Sequence, residues 1–402
     1  MKSPTSIPRR HMLAGSAAAL GTLGLASWTT GAHAQAAAAA KPLPAYVDWK
    51  DAKALIVHSS NTMETRRSAF GTSVLTPTDQ LYVRNNLPPP DASILDNRDA
   101  WAISIEGVKN PRTLSLGELK TMGLETVATV LQCSGNGRGF FPSKPSGTQW
   151  TVGAAGCVFW SGVPVRAVVA ALGGAVDGAV YLTGTGGEKL PDGVDPLTVL
   201  VERSVPIEAL GDAILAWELN GEPIPLAHGG PLRLIAPGYQ GVNNIKYIKR
   251  LALTPQQSPA RIMTNSYRLS PPGTKSGPDQ RSVWEIVVKS WINGPLSEQG
   301  PLKAGMTQIH GVAFAGTQPV QGVEVSVDGG ATWSRAQLIG PDLGRFAWRQ
   351  FVLPVRLAAG THVLASRATD AAGHAQPAER EENIRGYNNN SWRDHAVTVT
   401  VA

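Results

Sequence analysis

Apolar and polar positions alternate in short runs along most of this chain of 402 residues, and runs with a helical period are few. "WAISIEGV" alternates over Trp101 to Val108 and predicts a strand. "TVATVLQC" is a β-branched run that predicts a buried strand with Cys133 at its end. "VYLTGTGG", "AILAWELNG" and "PLRLIAPGY" predict further strands. "LYVRNNLPPP" predicts a short strand over Leu81 to Val83, running into Arg84-Asn85-Asn86 and a proline stop. Two helices stand out. "SLGELKTM" has Ser115 as N-cap and Glu118 at the capping-box position. "VPVRAVVAALGG" is closed by glycine. The elements alternate irregularly, with no repeated βαβ unit, so the fold class is α+β with mixed sheets. Residues 255–300 are polar and rich in Pro and Gly, as a connecting segment would be. Beyond them "TQIHGVAFAG", "VQGVEVSVDGGATWSRAQL", "FAWRQFVLP" and "THVLASRATD" alternate at roughly ten-residue spacing, with Asp328-Gly329 at a hairpin turn. That half reads as an immunoglobulin-like β-sandwich.

Composition agrees: 43 glycines and 30 prolines suit many tight turns rather than long solvated helices. No run of about 20 apolar residues suggests a membrane span. Arg9 and Arg10 precede an apolar stretch from Met12 to about Ala26 that ends in Ala32-His33-Ala34. Residues 1–34 therefore read as a twin-arginine export signal, which carries a folded protein to the periplasm, and residues 35–75 as a leader segment. Loss of Lys2, Arg9 and Arg10 with the signal lowers the formal charge from +6 to +3, too weak a bias for nucleic acid. The chain has two cysteines, Cys133 and Cys157, whose spacing permits a disulfide in an oxidising compartment. There is no Cys-x-x-Cys-His, hence no covalently attached haem is expected in this chain, and no phosphate-binding Walker loop.

The stretch "VLQCSGNGRGFF" concentrates the candidate chemistry. A strand end followed by a Ser-Gly-Asn-Gly turn leaves Cys133 at the rim of a sheet. Arg138 across the turn is placed to favour a thiolate there. Such a thiolate is a nucleophile or a soft metal ligand, and a lone cysteine is also a small buried apolar residue. A nucleophile would need a histidine base, for which His228 in "LAHGGPLRLIAPG" is the candidate. Arg84, Arg138 and Arg385 lie in turns, with Trp150 and Tyr267 in neighbouring motifs. Planar guanidinium forks suit a small dianion, while each arginine alone is as readily a structural one and Trp150 a core aromatic.

"LYVRNNLPPP", "VLQCSGNGR…GTQW", "AWELNGEPIPLAHGGPLRLIAPG…NNIKYIKRL", "VEVSVDGGATW" and "NIRGYNNNSW" follow one another in that order. Together they resemble the sulfite oxidase family of molybdenum enzymes, especially its bacterial periplasmic sulfite dehydrogenases, from about residue 75 to the C-terminus. The resemblance implies a mixed-sheet molybdopterin-binding catalytic domain over 76–290 and an immunoglobulin-like dimerisation domain over 291–402. It implies molybdenum with one molybdopterin per chain, the metal held by the Cys133 sulfur. Tyr82, Val83, Arg84, Asn85, Asn86, His228, Arg233, Asn244, Ile245 and Lys246 match the family's cofactor contacts. Arg84, Arg138, Trp150, Tyr267 and Arg385 match its oxyanion pocket. Glu188, Asp192 and Asp195 are candidates for a further acidic cofactor contact. The implied activity is oxidation of sulfite to sulfate, with electrons passed singly to a c-type cytochrome, by a homodimer or a heterodimer with a haem subunit. The alternatives are a related molybdopterin enzyme acting on carrier-bound sulfur or reducing an oxidised substrate such as methionine sulfoxide, and a metal-free partner that keeps the fold. One departure stands out: the family motif often reads Arg-Asn-His, whereas here it is Arg84-Asn85-Asn86, and an amide carries no charge.

Overall fold

The run "TVATVLQC" forms the strand Glu125–Gln132, whose β-branched residues suit a pleated, buried surface. In the computed structural model, which describes residues 41–402, this strand edges an antiparallel sheet. Next to it runs Ala155–Pro164, then Ile214–Leu219, whose far edge carries both Glu222–Pro223 and Arg233–Ile235. The expected export signal lies outside the described residues.

A strand's period of two sends alternate side chains to opposite faces. Val127, Leu131 and Cys133 join Tyr82, Trp150 and Trp160 on one face. Ala128 and Val130 join Cys157, its cross-strand neighbour, on the other. The two cysteines are therefore on opposite faces, and both are free thiols, so the disulfide that spacing permits does not form.

A second five-stranded sheet runs Arg112–Ser115, Ala102–Glu106, Arg250–Thr254, Tyr181–Thr185, Glu202–Pro206. It is mixed, because Arg250–Thr254 pairs in parallel with Ala102–Glu106 and antiparallel with Tyr181–Thr185. Its apolar face (Ile103, Ile105, Leu182, Leu251) shares one core with Val163, Leu215 and Leu234 of the first sheet. The helix Leu116–Leu119 starts with the expected box: the Glu118 N–H donates to Ser115 Oγ at 3.1 Å and the Ser115 N–H to Glu118 Oε2 at 2.8 Å. The helix Val165–Ala171 ends where Gly173 and Gly174 take φ of +86° and +90°.

The C-terminal half is an antiparallel sandwich. One sheet runs Lys289–Gly294, Gly305–Phe314, Arg349–Leu357, Gln337–Ile339; the other runs Ser334–Arg335, Val320–Ser326, Gly360–Asp370, Val397–Val401. Ile292, Ile309, Val323, Val325, Phe351, Leu364 and Val399 fill it. The hairpin around Asp328-Gly329 is wider than a two-residue turn, because residues 327–333 fold around the Asp328 carboxylate. That carboxylate accepts from Thr332 N and Oγ1 and from Ser326 Oγ, which hold its pKa well below the usual range.

Two segments depart from the sequence reading. The leader is folded from Ala45 on: a hairpin, Leu55–Ser59 with Thr62–Thr65, pairs with Val83–Arg84. The polar stretch 255–283 is no simple connector. Arg203, on the mixed sheet, donates to Ile262 O and Val283 O and draws the stretch onto that sheet, while Arg268 within the stretch donates to Met263 O, Pro278 O and Gln280 O and ties it to itself; both arginines are almost wholly buried. The loop between Asp370 and Val397 returns to the cysteine turn, where the Asn388 N–H donates to Ser134 O at 3.0 Å.

The leader hairpin is pinned by Glu64, which is fully buried. Its Oε1 accepts from Thr151 N (2.8 Å), Thr151 Oγ1 (2.5 Å) and Gly153 N (3.0 Å), and Oε2 meets His58 Nε2 at 2.8 Å. Glu64→Ala strands these buried donors. The expected loss is roughly 2–4 kcal/mol in denaturant unfolding, with a smaller loss for Glu64→Gln, which keeps an acceptor. Equal stability of Glu64→Ala and the parent protein would contradict this account.

Candidate active site

Cys133 leaves its strand with its N–H on Ala154 O at 2.8 Å, and its own carbonyl accepts from Asn136 N at 2.9 Å. The glycines of the turn have separate causes. Gly137 takes φ +93°, a region other residues enter at a cost. Gly135 gives room to Arg138, whose guanidinium atoms would lie 2.5–2.8 Å from any Cβ at that position. Asn136 Nδ2 reaches Gln132 Oε1 at 3.1 Å and the Ala154 N–H reaches Asn136 Oδ1 at 3.3 Å, so the turn is tied across its own base.

Beside the thiol lies a cleft of about 630 Å³, counting its open mouth. Tyr82, Arg84, Asn85, Asn86, Cys133, His228, Arg233, Asn244, Ile245, Lys246 and Tyr267 line it, and each was singled out in the sequence. The elements explain the convergence. In Val83–Arg84 the period of two sends Val83 into a core with Val47, Leu55 and Met63, and Arg84 to the cleft. His228 ends a 3-10 turn that Gly229 closes at φ +98°, and a Cβ there would strike the Lys246 side chain at 2.7 Å. Lys246 Nζ donates to Asn85 Oδ1 at 2.6 Å and to Ala227 O at 2.5 Å. Arg84 donates to Asn85 O and, at 2.8 Å, to Asn86 Oδ1, which also accepts from the Tyr267 hydroxyl at 3.3 Å.

The cleft carries an excess of positive charge. Arg84, Arg233 and Lys246 line it, Lys50 stands behind His228, and Glu188 is the one acidic side chain in the wall. Burial lowers the Lys246 pKa well below its usual value, with Arg233 adding repulsion; it brings Lys50 to about 7 and Arg233 to about 10. His228 is held neutral by burial and by Lys50, Lys246 and Arg233. Burial raises Glu188 to about 7 against the pull of Lys246.

Other expected residues stand apart from the wall. Trp150 is fully buried behind Tyr82, with ring centroids 6.4 Å apart, and packs as a core aromatic. Val83 faces away. Arg138 turns back, donating to Arg385 O at 2.7 Å and to Thr148 O at 3.1 Å, with Cζ 5.3 Å over the Tyr387 ring. Arg385 reaches Ser146 Oγ at 3.1 Å. Of the three acidic candidates only Glu188 lines the cleft, while Asp195 caps the helix Pro196–Val199. Sequence reasoning missed Ser134, Lys50 and Tyr387. The polar residue directly after the cysteine was a usable signal for the first; no local pattern marks the other two.

These residues fit the metal and pterin that the sequence resemblance implies. His228 Nε2, Arg233 Nε and Ser134 Oγ are buried and have no hydrogen-bond partner in the protein, so they are free for an anionic, hydrogen-bonding guest. Gly241 keeps the floor open, since a Cβ there would meet Gln132 O at 2.9 Å and the Tyr82 hydroxyl at 3.0 Å. Among the described residues no three His, Cys, Asp or Glu side chains converge as a metal site. A metal on Cys133 would take its other ligands from a cofactor.

Two family models match the chain: an oxidoreductase molybdopterin binding domain over residues 88–262 and a Mo-co oxidoreductase dimerisation domain over residues 280–401. Sulfite oxidase of Arabidopsis thaliana is 28% identical over 358 residues, which cover 82% of this chain and 89% of that protein. Sulfite oxidase of Gallus gallus is 30% identical over 336 residues, covering 79% and 72%. The solved sulfane dehydrogenase SoxCD of Paracoccus pantotrophus has the same fold, with a TM-score of 0.71 at 24% identity over 86% of this chain and 89% of that one.

The two thiols should differ in reactivity. Cys157 is fully buried and burial pushes its pKa up to about 12, whereas Cys133 is partly exposed at the cleft. In cofactor-free protein, iodoacetamide is expected to modify Cys133 and spare Cys157, as read by peptide mass spectrometry; the reverse order would contradict the fold. Glu188 gives a pH test. Its folded pKa lies above its unfolded value, so its contribution to stability is present below about pH 4.5 and is lost as pH rises through about 7. Glu188→Gln in cofactor-free protein is therefore expected to melt higher than the parent at pH 8, with the difference shrinking toward pH 5.

Proposed function

We propose that this chain, which belongs to the molybdopterin-binding oxidoreductases of the sulfite oxidase family, oxidises sulfite to sulfate and passes the electrons singly to a c-type cytochrome. The observation that carries the reading is the meeting, in one cleft, of a free strand-end thiol, buried cations in excess and unpartnered donors. Cys133 would hold the metal through sulfur. His228, Arg233 and Lys246 would hold the phosphate, for which a neutral imidazole donates without adding charge. When bound, the cofactor supplies the two-electron redox chemistry and the oxygen transfer that no protein side chain can supply.

The remaining residues handle the substrate. Arg84 is the cation at the wall nearest Asn86 and Tyr267, and its planar fork suits two oxygens of sulfite or sulfate. Asn86 accepts from both Arg84 and Tyr267, so it sets the fork and the phenol at a fixed separation. Tyr267, with a hydroxyl that both donates and accepts, is suited to moving a proton at the mouth. Arg138 and Arg385 act from behind, through the turn and the returning loop. Export in a folded, cofactor-loaded state and an acceptor on another polypeptide complete the reading.

The test is purification of the periplasmic form, a molybdenum assay and sulfite-dependent reduction of cytochrome c. About one molybdenum per chain is expected. Cys133→Ser is expected to abolish turnover while leaving the fold intact. Arg84→Gln is expected to raise KM for sulfite about 10–100-fold, the size of a lost charged hydrogen-bond pair. Carrier-bound sulfane sulfur, assayed in parallel, should be the poorer substrate. Metal-free protein, or wild-type rates from Cys133→Ser, would sink the reading; preference for the carrier-bound substrate would replace sulfite within it.

A further inference from the structure

Tyr387 sits in none of the roles above, yet it is half of a stacked pair of phenols, each with a guanidinium over its ring. Its ring lies on the Tyr267 ring with centroids 5.1 Å apart and planes 15° from parallel. Arg138 Cζ lies over the Tyr387 ring at 5.3 Å from its centroid, and Arg203 Cζ over the Tyr267 ring at 5.8 Å. Each phenol thus has its own guanidinium, and both arginines are themselves buried. Every contact is within the favourable range for offset stacking or for a cation over a π face.

The stack has something to hold. Tyr267 takes φ +53°, a left-handed conformation that is a genuine outlier for a bulky side chain and persists only where the surroundings over-determine it. The surroundings supply three restraints besides the stack. The Tyr267 carbonyl accepts from Val283 N at 2.9 Å, its hydroxyl donates to Asn86 Oδ1, and Ile384 N on the returning loop reaches Ser270 O at 2.9 Å. Tyr387 is fixed in turn from its backbone: its N–H donates to Asn383 Oδ1 and its carbonyl accepts from Asn383 Nδ2, both at 2.9 Å. Gly386 next to it takes φ +61°, and a Cβ there would strike Arg138 Cγ at 2.9 Å, so the loop comes as close to the arginine as a backbone can.

We infer that Tyr387 is a positioning residue: its ring fixes the plane of Tyr267, and through it the hydroxyl that meets Asn86 and Arg84 at the cleft. Tyr387 does not line the cleft, so it acts on Tyr267 and not on the substrate. The kinetic part of the inference rests on the sulfite-oxidising reading; the positioning part does not.

The test compares Tyr387→Leu and Tyr387→Phe in the purified holoenzyme. Leucine removes the stack and phenylalanine keeps it. For Tyr387→Leu, kcat at saturating sulfite is expected to fall about tenfold, the equivalent of one stacked pair, with molybdenum content unchanged and KM within about twofold. Tyr387→Phe is expected to stay within about twofold of wild type in both. The second readout needs no turnover: nitration of Tyr267 by tetranitromethane, located by peptide mass spectrometry, is expected to rise roughly fivefold in the leucine variant and not in the phenylalanine one. Should Tyr387→Leu not fold, Tyr387→Met takes its place in the same comparisons. Wild-type nitration and kcat in the stack-breaking variant would overturn the inference, as would a phenylalanine variant as impaired as the leucine one. If even the wild type fails to oxidise sulfite, the function proposed above falls, while the nitration pattern still decides what Tyr387 does.

Discussion

Buried positive charge without matching carboxylates is the constraint from which the rest of the structure follows. Lys50, Lys246 and Arg233 crowd around His228, Arg84 lines the same cleft, and Glu188 is the sole acid in its wall. Isolated charges are expensive to bury, so such a site is stable only if its cations neutralise in part, spend their donors on carbonyls, or receive an anion. The chain uses the first two. Lys50 donates to Thr78 O and Leu81 O, Lys246 to Asn85 and Ala227 O, and both lose basicity through burial. The donors left over on His228, Arg233 and Ser134 answer to the third.

The same economy recurs outside the cleft. Arg203 and Arg268 are buried without a salt bridge, and their forks are consumed by Asn243 Oδ1 and by backbone carbonyls and amide or hydroxyl oxygens of residues 257–283. A polar segment with few apolar residues of its own is thereby held against the mixed sheet as firmly as an apolar one would be. That is how the loop bearing Tyr267 acquires a fixed place.

Periodicity made much of this legible in the sequence. The strand leading to Cys133, the capped helix at Ser115 and the sandwich strands all follow from spacing alone, and the ordered motifs assembled Arg84, Asn86, His228, Arg233 and Lys246. What escaped was set by partners distant in the chain. Trp150 reads equally as pocket or core until Tyr82 is seen to stand in front of it. Val83 and Arg84 are adjacent, and only the pairing with Thr62 and Met63 decides which of them faces inward. The hairpin near residue 60 has too few apolar residues to announce itself, because Val83 and Ala227 complete its core. Tyr387 sits in a polar run of asparagines, where nothing local hints at a ring lying face to face with another.

The strand that ends in Cys133 has a second face, and that face is covered by the sandwich. Val130 and Ala128 pack with Trp291, Phe314 and Trp348, and the Val130 N–H donates to Phe346 O at 2.9 Å. The C-terminal half is thus a wall of the catalytic half, not an appendage on a tether. The contact of Val130 with Phe346 lies three residues from the sulfur along one strand, so the sandwich braces the same ribbon of backbone that ends in Cys133.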